Sequence, residues 1–290
     1  MHKKLSFAAL LLCYTAAVNA ASPQIIAHRG GTGDMPENTL PAIQKALDNH
    51  AGAIWLTLQL SKDGVPVLYR PSDLSSLTSS QGKVSEQNVA ELEKIDAGYK
   101  FAPPDYPWRG KSATIPALET VLNKWPKTFF YLDIKSPDAD PAVFGKMLLN
   151  VLEKNHALNR VRVYSTDAKY LNALPTNIPR FETRDETRTI LANITMDHQC
   201  QVTNNSQQAH WYGLELKREV EVVEKFTLGE GRSKAFLTWD KEAMDCFKSS
   251  GQSHVILLGI NSEEDYQKAK TLGADGVLVD SPAKFATIKK

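Results

Sequence analysis

The chain has 290 residues, a formal net charge of +1 and 42% apolar residues. A near-neutral balance argues against a nucleic-acid partner held by phosphate neutralisation. The length supplies one large core, not a small disulfide-dense scaffold.

Residues 1–20 read as a leader. Lys3 and Lys4 make a basic start, residues 5–18 are mostly apolar, and Val18-Asn19-Ala20 offers small residues before Ala21. That is the pattern of a secretory signal peptide cleaved after Ala20, so the expected location is periplasmic or extracellular. The apolar stretch is too short to favour a membrane span, and no transmembrane segment is expected in the mature chain. Cys13 lacks a small residue before it, which argues against a lipoprotein anchor. Losing Lys3 and Lys4 takes the formal charge from +1 to −1. Cys200 and Cys246 remain, and in an oxidising compartment they can pair; the alternative is two buried thiols.

Ile25-Ile26-Ala27 runs straight into His28-Arg29-Gly30-Gly31. This reads as a buried strand whose C-terminal end carries ionisable side chains into a tight loop. Asn38 or Thr39 is placed to cap a helix over 40–47. Parallel α/β folds put their chemistry at such strand ends. The plainer alternative is a histidine satisfied by the core and an arginine paired at the surface. Residues 53–60 alternate by face: Ile54, Leu56, Leu58 and Leu60 suit packing beneath helices, while Trp55, Thr57 and Gln59 face the interior or its mouth.

Further candidate strands are 129–135, 161–165, 178–182, 211–216, 235–239, 255–260 and 276–280. Helical stretches such as 143–154, 241–249 and 263–272 lie between them. The alternation implies parallel strands joined by helices. About 250 residues is typical of an eight-stranded α/β barrel. The expected fold is therefore α/β, a TIM-type (β/α)8 barrel, in one domain over residues 21–290. Nine candidates exceed eight strands, and the surplus is expected among the three between 178 and 239. No internal repeat, low-complexity tract or linker divides the chain.

His28-Arg29-Gly30, a short loop and Pro36-Glu37-Asn38-Thr39 together resemble the opening signature of the glycerophosphodiester phosphodiesterase family, one of the phospholipase-C-like barrels. Ser61-Lys62-Asp63-Gly64-Val65-Pro66-Val67 matches the family's turn and short following strand, and Ile115-Pro116-Ala117-Leu118-Glu119 its lead into the next strand. The residues from Gly273 to Pro282 match its closing pattern. The resemblance covers roughly residues 24–137 and 254–285, and little is recognisable between about 185 and 233. It implies phosphoric diester hydrolysis in lipid and glycerophosphodiester metabolism, with a divalent cation such as calcium or magnesium.

Carried onto this sequence, the resemblance makes His28 and Arg29 the catalytic candidates. Lys135 faces the phosphate, and Asp133 is the one metal carboxylate retained on its strand. The family's Glu-x-Asp metal ligands fall on Trp55 and Thr57, and its second histidine falls on Arg70. Asp73 is shifted by three residues and is given no role. Indole cannot coordinate a hard divalent ion, which needs several oxygen ligands. Arginine cannot exchange a proton near neutral pH but binds phosphate through paired hydrogen bonds. Arg70, Lys135 and Glu37 are therefore the substrate-binding candidates, Asp133 marks a vacant or weak metal position, and no cofactor is expected. The expected partner is a small phosphodiester or phosphate-bearing ligand; no protein partner is legible.

Three readings stand at this point. In the first, catalysis is weakened or lost and headgroup binding remains. In the second, an active phosphodiesterase works through His28 with Arg29, Arg70 and Lys135. In the third, the barrel is a non-catalytic interaction module. An open mouth with an accessible His28 would favour the first two.

Overall fold

The computed structural model describes residues 21–202, 209–249 and 252–287. The leader read over residues 1–20 lies outside them. The strands are β1 (Gln24–His28), β2 (Ala53–Leu60), β3 (Pro66–Leu68), β4 (Phe130–Ile134), β5 (Val161–Ser165), β6 (His210–Glu215), β7 (Lys217–Phe226), β8 (Gly229–Thr238), β9 (Ser253–Leu258) and β10 (Gly276–Val279). The helices are α1 (Leu40–Asp48), α2 (Val89–Leu92), α3 (Leu118–Lys124), α4 (Pro141–Lys154), α5 (Ala168–Ala173), α6 (Arg184–Asp197), α7 (Lys241–Lys248), α8 (Glu263–Leu272) and α9 (Pro282–Ala286).

The large sheet runs β5-β4-β2-β1-β10-β9-β6, with parallel pairing along the path and β3 antiparallel on β2. Its open sides are bridged by residues 178–182. Val163 N donates to Pro179 O at 2.8 Å, Phe181 N to Val163 O at 2.9 Å, and Glu182 N to Trp211 O at 2.8 Å. That segment stands between β5 and β6 and completes a TIM-type barrel. It forms only one bridge, Val163 to Arg180, and so falls short of the regular strand expected there. Pro179 has no N–H to give to a ladder.

The surplus ninth candidate, 235–239, belongs mostly to β8, which pairs with β7 in a separate antiparallel hairpin. Its base is closed by Trp239 N donating to Leu216 O at 3.2 Å. Near the base Leu237 is buried, while Val223, Phe226, Leu228 and Phe236 are exposed.

The alternation of β2 sorts its side chains between two cores. Ile54, Leu56, Leu58 and Leu60 join the layer between sheet and helices, with Val121, Phe144 and Leu148. Trp55 points inward to Tyr131, Tyr164 and Phe181, with ring centroids 5.7, 5.0 and 5.9 Å away. These rings fill the barrel's interior, as large residues do in this architecture. Helix starts follow the expected chemistry: Thr39 caps α1 through Ala42 N, and Asp140 caps α4 through Ala142 N and Val143 N. Among the described residues, no helix is long and apolar enough to cross a membrane.

Cys200 and Cys246 form a disulfide with Cα atoms 5.7 Å apart, closing a 46-residue span. It ties the stretch after α6 to α7. Thiol titration of the denatured, unreduced chain should find neither cysteine free. Reduction should lower unfolding stability by about 2–4 kcal/mol, read from urea transitions. Trp55→Ala should cost about 3–5 kcal/mol in the same measurement, since a ring this buried leaves a cavity.

Candidate functional site

The turn after β1 builds the first part of the site. Arg29, Gly30 and Gly31 all take positive φ, at 51°, 82° and 97°. A Cβ at Gly30 would meet Ala42 Cβ at 3.1 Å, so α1 packs against the turn as closely as glycine allows. Gly31 N and Thr32 N both donate to His28 O, at 2.8 and 3.0 Å. His28 is thereby left at the strand's C-terminal end with its ring over the mouth.

His28 Nδ1 lies 2.6 Å from Asp280 Oδ1. Asn261 Nδ2 donates to Asp280 Oδ2 at 2.7 Å, and Asp280 N donates back to Asn261 Oδ1 at 2.9 Å. The hydrogen bond from His28 holds the Asp280 carboxyl below its ordinary range; burial opposes this, and Asn261 and Arg29 reinforce it. A carboxylate on Nδ1 leaves Nε2 for the cavity.

Arg29 turns back toward Pro36-Glu37-Asn38. Its Nη1 donates to Glu37 Oε2 at 2.6 Å, and Thr32 Oγ1 donates to the same oxygen at 3.1 Å. Asn38 Oδ1 accepts from Thr57 N at 2.9 Å, tying this loop to β2. Glu37 stands behind Arg29 and is not part of the cavity wall.

Pairing of Thr57 with Asp133 places the second and third strands' candidates side by side. Asp133 Oδ1 forms an ion pair with Lys135 Nζ at 3.1 Å, and that ammonium donates to Thr166 Oγ1 at 2.8 Å. Burial raises the Asp133 carboxyl above the usual carboxylate range; Lys135, the Trp55 indole N–H and His28 pull the other way.

Arg70 follows β3 and reaches the mouth. Gln59 Nε2 donates to the carbonyls on both sides of it, Tyr69 O at 3.2 Å and Pro71 O at 2.6 Å. Gln59 is 1% exposed, so the backbone bearing Arg70 is fastened to the barrel interior. The guanidinium itself is exposed, with no hydrogen bond or ion pair to any described residue.

His28, Arg29, Arg70, Asp133 and Lys135 line one cavity of about 250 Å³ at the C-terminal end of the barrel. The His28 side chain is 25% exposed there, and Trp55 forms part of the wall without closing it. The wall includes three charged residues that sequence reasoning left unassigned: Asp280, Arg184 and Glu215. Arg184 Nη2 is bidentate to Glu215 at 2.7 and 2.6 Å, and its Nη1 donates to Tyr164 OH at 3.1 Å. Arg218 Nη1 adds a bond to Glu215 Oε1 at 3.3 Å. Asp280 lay within the recognised closing pattern but carried no stated role. Arg184 and Glu215 lie where the sequence offered no motif.

The donor set does not suit a calcium or magnesium ion. Glu37 Oε1 and Asp133 Oδ1 are buried without hydrogen bonds. The second already faces an ammonium, and Glu37 is neutralised by Arg29. A hard cation needs several oxygen ligands, and the positions that the resemblance assigns to two of them hold an indole and a threonine. Among the described residues, no cluster of three or more histidine, cysteine or acidic side chains has metal-binding geometry.

The model of the glycerophosphoryl diester phosphodiesterase family matches residues 28–284. The uncharacterized protein Rv2277c of Mycobacterium tuberculosis is 39% identical over 267 residues, spanning 90% of this chain and 87% of that protein. A glycerophosphodiester phosphodiesterase of Bacillus subtilis is 26% identical over 281 residues, spanning 91% and 86%. The crystal structure of the phosphodiesterase domain of Rv2277c superposes with a TM-score of 0.86 at 37% identity, covering 93% of this chain and all (100%) of that one. A phosphodiesterase from Oleispira antarctica, in complex with the product sn-glycerol-3-phosphate, shares the fold at a TM-score of 0.62 and 19% identity, covering 92% and 97%. With its barrel, its mouth and a family match across nearly all described residues, this chain belongs to the glycerophosphoryl diester phosphodiesterase family.

Proposed function

We propose that this chain is an exported, phosphodiester-binding member of its family, with the metal-dependent route to hydrolysis weakened or lost. The charge balance of the mouth carries this reading. Glu37 is matched by Arg29, Asp133 by Lys135 and Glu215 by Arg184, and Asp280 is hydrogen-bonded to His28 and Asn261, while Arg70 has no partner among the described residues. A surplus guanidinium over an open cavity suits an oxyanion, which it can hold through two hydrogen bonds. The Oleispira enzyme's complex with sn-glycerol-3-phosphate supports a small phosphate-bearing ligand. The leader pattern and the Cys200–Cys246 bond support export.

One observation favours a second reading, metal-free hydrolysis. Asp280 fixes the His28 ring so that Nε2 can take a proton from an attacking water, while Arg29, Arg70 and Lys135 hold the phosphoryl oxygens. The leaving alcohol also needs a proton, and the histidine that donates it in the family is Arg70 here. Binding without efficient turnover therefore leads. The interaction-module reading has least support, because the cavity is open and His28 reaches it.

Calorimetry on the purified protein should show sn-glycerol-3-phosphate binding that weakens as salt is added. Arg70→Ala should reduce affinity about tenfold or more, as loss of a charge-assisted bond does. Unchanged affinity in an Arg70→Ala, Lys135→Ala double variant would remove the pocket assignment. Millimolar calcium or magnesium should leave the melting temperature unmoved. A saturable metal signal abolished by Asp133→Ala would reverse the metal reading.

Turnover of glycerophosphodiesters in chelator decides between the two readings. Efficient hydrolysis lost on His28→Ala would establish the second. The depressed Asp280 carboxyl also gives a pH signature. Its stabilising contribution is full above the ordinary carboxylate pKa of about 3.9 and is lost as pH falls through the lower folded value. The melting-temperature difference between wild type and Asp280→Asn should therefore shrink below about pH 4.

A further inference from the structure

We infer that the mouth selects phosphodiesters whose second alcohol is an uncharged polyol, such as glycerol or inositol, and discriminates against the cationic alcohols choline and ethanolamine. This rests on the phosphate reading above and concerns the rest of the ligand. The phosphate-holding candidates stand at the ends of β1 and β4 and in the turn after β3. Across the mouth, beside β6, stand Arg184 and Glu215, with Arg218 behind them at the base of the β7–β8 hairpin. The second arm of a bound diester must lie against that wall.

A cationic headgroup needs an unmatched carboxylate or an open aromatic face, and this wall provides neither. Glu215 is shared by two guanidinium groups, so the cluster carries a formal surplus of one positive charge. Trp55 and Tyr164 are the aromatic residues of the cavity wall, and each is 2% exposed and packed against other rings. Among the described residues, no aromatic face of this cavity is left for a quaternary ammonium.

Hydroxyl groups meet a better match. The Glu215 side chain is 33% exposed. A carboxylate neutralised by guanidinium still has acceptor lone pairs for O–H donors but offers no net charge to an ammonium. At about 250 Å³ the cavity admits a headgroup and leaves acyl chains outside.

The test is calorimetric titration of the full mature protein at one ionic strength. The probes are glycerophosphoglycerol, glycerophosphoinositol, glycerophosphocholine, glycerophosphoethanolamine and the armless sn-glycerol-3-phosphate. The polyol diesters should bind about tenfold or more tighter than the choline and ethanolamine diesters, the size of effect one misplaced charge produces. Arg184→Met combined with Arg218→Ala should leave Glu215 without a guanidinium and bring the polyol-to-choline ratio down by about the same factor. Arg218→Ala alone, at a side chain 41% exposed, cancels the surplus charge while Arg184 still holds Glu215, and should lower the ratio by less. Choline diester bound as tightly as the polyol diesters, or a ratio unmoved in the single and the double variant alike, overturns the inference while leaving the phosphate site standing. Binding of none of the five probes overturns the phosphate reading, and this inference with it.

Discussion

The contact between His28 and Asp280 holds together the parts of the molecule on which the site depends. The two residues are 252 positions apart and stand at the ends of adjacent parallel strands, β1 and β10. Around them the first and last loops are laced together. Gly33 N donates to Asp280 O, and Asp34 accepts from Ser281 Oγ and Ala283 N. The β1 turn, with three successive residues at positive φ, is thus anchored from α1 on one side and from α9 on the other. Backbone in that region carries a conformational cost that surrounding packing must offset. Here it sets His28 and Arg29 at one mouth while directing them to different partners.

The resemblance read from the sequence puts Trp55 and Thr57 of β2 at positions where two carboxylates are expected. The Trp55 ring completes an aromatic interior with Tyr131, Tyr164 and Phe181, so packed rings fill the space beneath the mouth. Asp133 remains with Lys135 as its counter-charge. Burial and counter-charge act in opposite directions on that carboxyl, and burial is the larger effect. What was a cation-centred site in the resemblance is here a ring of paired side chains with one guanidinium left over.

Much of this was legible because it is local. The run of 53–60 coincides with β2, and its alternation correctly separated inward from outward side chains. The capped start of α1 follows from Thr39 and the fixed spacing after it. Convergence of His28, Arg29, Arg70, Asp133 and Lys135 also followed, since strand ends in a parallel barrel share one face. The salt links across the mouth were not legible. Arg184 and Glu215 are 31 residues apart on elements whose adjacency depends on barrel closure through 178–182. That closing segment has a strand's composition but makes only one bridge. Gln59 was read as facing inward, yet its grip on both carbonyls flanking Arg70 is a matter of three-dimensional reach. The hairpin escaped recognition because β7 mixes charged residues into its alternation and the connection carries none of the strong two-residue turn signals.

The hairpin is inserted between a barrel strand and the helix that follows it, yet its two ends return to the same place. Leu216 and Trp239 are hydrogen-bonded to each other, and Lys217 pairs with Thr238 immediately beyond. The barrel therefore meets this excursion as it would meet a short loop. A change in its length or at its tip need not move the strand before it or the helix after it. Arg218, in the second rung, is the place where that freedom stops: through Glu215 it touches the wall of the cavity, so variation that reaches the base of the hairpin is variation in the site itself.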